Sequence, residues 1–298
     1  MNKFFNSADA AYFNGSLPKF DTRSSTLVSA SRYLNSVALR DMTAQEMLRR
    51  NGPDITPTAF IAEINALLLE MEDWPRVLEL LEEEKVRMPA FRAWCEGRRL
   101  ALFSRQDLEG GAPGTLRAMI HDFVVRTGYQ LDFFFQGQEI ENDADFLFRQ
   151  RALTHDIEHM ITGFGTDSAG EVALATAQTR AFYNYFTPEF AAFVDRLQNY
   201  LGAAKMTRSN FYYPNAAKAH NDALDRGAAQ GRLWKYPLLL APYHAMLDWR
   251  IGDIREELGI ADVPPEGIWS WTVAAYEDPR IGDAARPTAG MTIRIDGS

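Results

Sequence analysis

Thr154-His155-Asp156-Ile157-Glu158-His159-Met160-Ile161-Thr162-Gly163, continued by Phe164-Gly165-Thr166-Asp167-Ser168-Ala169-Gly170-Glu171, is the stretch on which the reading of this chain turns. The residues before Gly163 have the periodicity of a helix, predicted over 143–161. On a helix, positions i and i+4 differ by about 40° of rotation. His155 and His159 therefore project from one face, the placement with which an H-E-x-x-H helix chelates a single divalent cation. Asp156 lies about 100° further round. It either reaches the same ion or orients a histidine through the other ring nitrogen. Glu158 points elsewhere and reads as an ordinary polar residue.

Glu171 follows His159 by twelve residues. On one unbroken helix that is a separation of about 18 Å, too far for a shared ion. Gly163, Gly165 and Gly170 remove the objection, because glycine lets the chain reverse. Asp167 or Ser168 would then cap a second helix that starts with Glu171 and packs against the first. The expectation is a helix-loop-helix gathering two imidazoles and up to two carboxylates: His155, Asp156, His159 and Glu171. That donor set suits zinc, iron or manganese better than calcium or magnesium, with water completing the shell. The bland reading is a chance pair of surface histidines; the added carboxylates and the glycine turn separate this pair from it.

Outward from this stretch the pattern stays helical. Thr56-Pro57 reads as an N-cap with proline at the first helical position. Phe60, Ile61, Ile64, Leu67, Leu68 and Met71 follow at helical spacing, and a second helix runs through Val77, Leu78, Leu80 and Leu81 after Trp74-Pro75. Gly110 to Gly114 is the clearest break in the first half. Helices are predicted over 115–127, 169–185, 188–201 and 219–229, and over 236–258 with a bend near Pro242. Leu131 to Phe135 is too short to type. Residues 210–216 read as a turn-rich junction, and the chain after Pro264 as irregular, with Trp269 and Trp271 as anchors and a loose end. The fold class is thus all-α, a multi-helix bundle. Its expected parts are an N-terminal helical region (1–109), a metal-binding helical domain (110–262) and a C-terminal tail (263–298).

Composition narrows the function. A hydrophobic content of 46% in 298 residues supports a buried core. A net charge of −9 offers no basic face for phosphates, so nucleic acid is not an expected partner. The single cysteine, Cys95, excludes an internal disulfide and reads as a core residue. No apolar run reaches the roughly 18–20 residues of a membrane span, and the N-terminus lacks a signal-peptide core. A soluble or peripheral protein is expected. Asp195, Arg196 and Lys205 read as solvated surface.

The spacing His155-Asp156-x-x-His159-x11-Glu171 resembles the H-D-x-x-H-x11-E signature of the coenzyme Q (ubiquinone) biosynthesis protein four family. The resemblance extends to Gly163, the Gly170-Glu171 pair, Gln178, Pro113-Gly114-Thr115-Leu116, Gly231-Arg232-x-Trp234, Asp248-Trp249 and Arg255-Glu256-Glu257-Leu258-Gly259-Ile260, and so covers roughly residues 110–260. Two departures stand out. The first hundred residues have no recognised counterpart, and Val172 to Ala177 is smaller and more apolar than the family's aromatic and acidic run.

The resemblance implies an all-helical fold whose ligands are His155, Asp156, His159 and Glu171, with zinc foremost and iron or manganese as alternatives. It implies oxidative decarboxylation of a polyprenylated benzoquinone precursor, a hydroxyl replacing the ring carboxylate. It also implies partnership with other ubiquinone biosynthesis enzymes and peripheral membrane contact, and it allows a homodimer. The location would be the cytoplasmic side of a bacterial inner membrane, or the matrix face in mitochondria. Phe182, Tyr185, Phe186, Phe190, Phe193 and the segment from Trp234 to Trp249 are candidates for a prenyl channel, with plain core as the competing reading. Phe133 to Phe135 are candidates for a lipid interface, with core again the competing reading. Two rival functions stand beside this one: a non-catalytic prenyl-lipid scaffold with a structural metal, and an HD-type phosphohydrolase that would use His121-Asp122.

Overall fold

The computed structural model describes residues 30–49, 60–128 and 137–272. The described residues form α-helices and short 3-10 turns without a strand, as the periodicity predicts. In chain order the helices are α1 (Arg32–Asn35), α2 (Val37–Leu48), α3 (Ile61–Glu70), α4 (Trp74–Arg87), α5 (Pro89–Gly97), α6 (Arg105–Leu108) and α7 (Leu116–Thr127). They continue as α8 (Asp143–Thr162), α9 (Ser168–Tyr185), α10 (Pro188–Tyr212), α11 (Pro214–Gly231), α12 (Tyr243–Met246) and α13 (Ile251–Leu258).

The boundaries of α8 and α9 follow from local chemistry. Asn142 accepts from the Asp145 amide while the Asp145 carboxylate accepts from the Asn142 amide, a reciprocal box that satisfies backbone donors at the start of α8. Gly163 ends it in the left-handed region at φ 76°. Asp167 then opens α9 by accepting from the Gly170 amide at 2.9 Å.

α8, α9, α10 and α11 are the long helices that frame the core. The contact between α9 and α11 is made by small residues. A Cβ on Gly227 would lie 2.2 Å from the Ala173 carbonyl oxygen, and one on Gly231 would lie 2.2 Å from that of Ala177. Gly227 and Gly231 are one turn apart, as are Ala173 and Ala177, so a stripe of small residues on each helix lets the two backbones meet. The small, apolar run after Glu171, unlike that of the resembled family, is what α11 packs on.

Two apolar clusters account for most of the interior. One joins Ile157, Ile161, Val172, Leu174 and Ala181 to Leu116, Ile120, Trp234, Tyr243 and Ile254. The other joins Phe182, Phe186, Phe190 and Phe193 to Val77, Leu80, Leu81, Phe91 and Cys95. Residues on both sides of Gly110–Gly114 thus share interior. Glu84 of α4, fully buried, accepts from both the backbone N–H and the hydroxyl of Thr187 at the head of α10. Cys95 is a core residue, as expected; burial pushes its thiol up to about 12.

Several expectations need correction. The predicted 236–258 helix is broken into a 3-10 turn (Leu238–Leu240), α12 and α13, because Pro237 and Pro242 withhold backbone donors. The 188–201 helix continues to Tyr212, and the 210–216 junction narrows to Tyr213, since Pro214 starts the next helix. Asp195 is fully buried. Past Pro264, Trp269 is buried and Trp271 is about half exposed. The Thr56-Pro57 cap, Leu131 to Phe135 with its Phe133 to Phe135 run, and the end of the tail lie outside the described residues.

Adding a methyl at the α9–α11 contact overpacks it against backbone that cannot step aside. Gly227→Ala is expected to lower stability by about 1–3 kcal/mol despite alanine's better helix propensity. Urea unfolding midpoints check this; a midpoint at or above that of the wild type would show that the helices separate freely.

Candidate metal centre

The reversal between α8 and α9 brings the separated donors together. Glu171 Oε1 lies 3.3 Å from His159 Nε2, and Glu171 Oε2 lies 3.7 Å from His155 Nε2. The imidazole centroids are 4.7 Å apart. Among the described residues, His155, His159 and Glu171 form the group of potential metal donors whose ligand atoms all lie within 4.8 Å of one another. Asp156 is placed differently: its Oδ1 faces His155 Nδ1 at 3.6 Å, on the side of the ring away from Glu171. That is the orienting position rather than the cluster itself.

The tautomer of His159 follows from its partner. Nδ1 sits 3.0 Å from the Phe164 carbonyl oxygen. A carbonyl only accepts, so Nδ1 carries a proton, and in the neutral ring Nε2 presents a lone pair. Nε2 is buried and has no hydrogen-bond partner. In the neutral ring the Nε2 lone pair and a carboxylate oxygen, two acceptors, face each other across 3.3 Å, and in the protonated ring the same atoms form an ion pair. A cation between them turns the neutral ring's repulsion into attraction. Two ligands at about 2.1 Å from one ion and at tetrahedral angles would stand roughly 3.4 Å apart, so the observed spacing fits a zinc-like ion. His159 is only 3% exposed, whereas His155 and Glu171 keep more than a quarter of their side-chain surface in solvent. The site is closed behind and open in front.

Charge around the cluster is supplied by a helix that the sequence did not single out. Lys205 of α10 places Nζ 3.5 Å from Glu171 Oε2, and its side chain is mostly buried rather than solvated as expected. Burial works against ionisation of Glu171, yet Lys205 and the two histidines prevail and hold its carboxyl well below the usual carboxylate range. For His155, burial disfavours the charged ring, but Glu171 and Asp156 hold its pKa above the ordinary value.

A polar layer lies behind the cluster. Glu158, expected to be an ordinary polar residue, is 1% exposed. It accepts from Thr154 Oγ1 and from Gln178 Nε2, both at 2.7 Å, and burial raises its pKa. A signal for it was present in the sequence: Leu147, Gln150, Thr154, Glu158 and Ile161 form a stripe at helical spacing, all buried. Lys205 also lines a small cavity with Arg208, Ser209, His220 and Ser168. There His220 meets Ser209 Oγ at 2.7 Å and Ser168 Oγ at 3.0 Å. Burial, with Lys205 and Arg208 nearby, lowers its pKa to about 4 and keeps the ring neutral.

Of the prenyl-channel candidates, the four phenylalanines pack as core, Tyr185 is partly buried and Trp249 is exposed. Phe182, Phe186, Phe190 and Phe193 are each 5% exposed or less, and Phe186 and Phe190 meet edge to face at 4.9 Å. The second His-Asp pair, His121 and Asp122 on α7, is exposed and outside the donor cluster.

Fold and site together define an all-helical protein with a two-histidine, one-carboxylate donor cluster on a helical hairpin. No family model matches the chain, and no curated protein matches it. Among solved structures it is similar to a crystal structure from Nostoc punctiforme provisionally named a ubiquinone biosynthesis protein. The two share 23% identity over 67% of this chain and 87% of that one, with a TM-score of 0.54. At that identity the likeness is one of fold.

The depressed Glu171 pKa has a definite sign. Its folded value lies below the unfolded value of about 4.5, so its stabilisation is complete above that pH and is lost as pH falls through the folded value. In metal-free protein, Glu171→Gln should be less stable than wild type above pH 4.5, and the two should converge in acid. Urea midpoints measured on both sides of that pH test this. Parallel curves would mean that Glu171 is not held by its cationic neighbours.

Proposed function

We propose that this chain is a divalent-metal protein of ubiquinone biosynthesis that acts on a prenylated benzoquinone precursor, replacing the ring carboxylate by a hydroxyl. The observation that carries the reading is the buried, unpartnered Nε2 of His159 facing the Glu171 carboxylate. Its support is threefold: the donor cluster, the resemblance of its motif to the coenzyme Q protein four family, and the fold shared with a structure that bears a ubiquinone-biosynthesis name.

In this reading His155, His159 and Glu171 hold the ion, and Asp156 steadies the His155 ring from its Nδ1 side. A cation held there would supply Lewis acidity toward an oxygen of the ring. The chain's residues do the rest. The Phe164 carbonyl keeps the His159 proton on Nδ1, so Nε2 remains a donor to metal. Lys205 keeps Glu171 ionised. The partial exposure of His155 and Glu171 leaves a side from which a ring can approach. The ring loses carbon dioxide and gains a hydroxyl from water, and molecular oxygen accepts the two electrons and two protons released and leaves as hydrogen peroxide. Zinc is the first choice of ion, with iron or manganese as alternatives. No helix among the described residues is long and apolar enough to cross a membrane, and the prenylated substrate would be met at a membrane surface, alongside the other enzymes of the route.

The test combines elemental analysis, metal titration and turnover of a prenylated precursor bearing the ring carboxylate, with oxygen. Wild type should bind metal and turn over. His159→Ala should lose metal affinity by more than the ~10–100-fold that removal of an outer-shell partner costs, and lose turnover with it. Turnover unchanged in a metal-free His159→Ala protein would overturn the proposal. Lipid and metal bound without turnover would leave the non-catalytic scaffold in its place.

A further inference from the structure

Arg151 stands one turn before His155 on α8, on the same face, and its charged end is turned inward. An arginine usually lays its stem on protein and keeps its guanidinium in water. Here the residue as a whole is partly exposed, while Nη1 is shielded from solvent and has no hydrogen-bond partner. Nη2 makes a long hydrogen bond, 3.4 Å, to Gln178 Oε1. The guanidinium carbon lies 4.9 Å from the centroid of the Phe182 ring. These contacts aim the fork without satisfying it.

The nearby acids do not satisfy it either. Glu158 and Asp195 act on Arg151 through their charge, but their hydrogen bonds are made elsewhere. Glu158 serves Thr154 and Gln178, and Asp195 serves Thr179 and Asn199. Among the described residues Arg151 forms no ion pair at salt-bridge distance, in contrast to Arg208, which Glu46 holds at 3.2 Å. A buried cation with an open donor is costly unless an anion completes it. The guanidinium is also the group best matched to a planar oxyanion.

Position supplies the rest. Arg151 Nη2 is held at Gln178, and residues 171 and 178 are separated by about 10 Å along α9, a span matched by a six-membered ring with an oxygen substituent at each end, hydrogen-bonded on one side and metal-bound on the other. Across the hairpin Arg151 meets Gln178, seven residues beyond Glu171, so the same seam carries both the open donor and the metal cluster. We propose that Arg151 is an anchor for an anionic oxygen on an aromatic ring, a carboxylate or a phenolate, holding that ring against the His155–His159–Glu171 cluster. The assignment deepens the functional reading above and rests on that cluster being the reaction centre. Arg151 is a specificity-determining residue in this account: it selects ionised rings over neutral ones.

Calorimetric titration of the full chain, zinc-loaded and metal-free, with benzoate, 4-nitrophenolate and methyl benzoate is the direct test. The two anions separate carboxylate from phenolate recognition, and the ester removes the charge while keeping the ring. Wild type should bind at least one of the anions and bind methyl benzoate at least ~10-fold more weakly, as loss of a charge-assisted hydrogen bond requires. Arg151→Met should weaken anion binding by ~10–100-fold and leave zinc stoichiometry intact, which reports that the fold and the cluster survive. Arg151→Lys, which keeps the charge without the fork, should lie between and serves if the methionine variant does not fold. Equal binding of anion and ester, or an unchanged anion affinity in the variants, would overturn the anchor. Turnover of the prenylated precursor with KM unaltered by Arg151→Lys would also overturn it while the metal function stands. Arg151-dependent anion binding in a protein that never turns over the precursor would fail the functional reading alone.

Discussion

The site exists because Gly170 has no side chain. A Cβ at that position would lie 1.8 Å from the Gly165 carbonyl oxygen, so the first turn of α9 can fold back onto the loop only with glycine there. Everything at the centre is downstream of that approach. It sets Glu171 in the first turn of the returning helix, 3.3 Å from a ring twelve positions earlier. It also brings the Phe164 carbonyl onto His159 Nδ1. The loop that makes the turn therefore fixes the tautomer of the histidine that faces it, and geometry and protonation are decided by one piece of backbone.

That loop is in turn held from outside. The Thr272 hydroxyl engages the Asp167 carboxylate and the Ala169 amide, so the 3-10 turn Ser270–Thr272 closes over the start of α9. Arg255 of α13 donates to the Ile161 carbonyl at 2.7 Å near the end of α8. On the far side, the glycine and alanine stripes let α11 lie against α9, and His220 of α11 reaches Ser168. A helix hairpin on its own would fray at its turn; this one is clamped on both flanks, which is what a ligand set needs to hold its donors in place.

The electrostatics are arranged in two layers. In front, Glu171 stays ionised between two imidazoles and Lys205. Behind, burial raises Glu158 and pushes Asp195 up to about 7, against the pull of Arg151 and Thr179 on the latter. Negative charge is favoured at the cluster and disfavoured in the layer behind it. Arg151 stands at the edge of that layer, one turn from His155, with an open donor beside Gln178.

The sequence by itself determined the helical class, the pairing of His155 with His159, and the reversal that returns Glu171 to them. Each depends on spacing along the chain: four residues per near-turn, glycines where the backbone must bend, an aspartate where a helix must begin. What only the tertiary structure decided is which residues of other segments complete the site. Lys205 read as surface, Glu158 as ordinary and Asp195 as solvated, because charge type and position on a single helix say nothing about which neighbour covers that face. Asp156 was open between two roles, and the side of the His155 ring on which it falls is a matter of rotamer and packing. The aromatic run from Phe182 to Phe193 could line a channel or fill a core; the packing of α4 and α5 onto it filled it. Local periodicity fixes where a side chain leaves its helix, and only the arrival of a distant helix fixes what it meets.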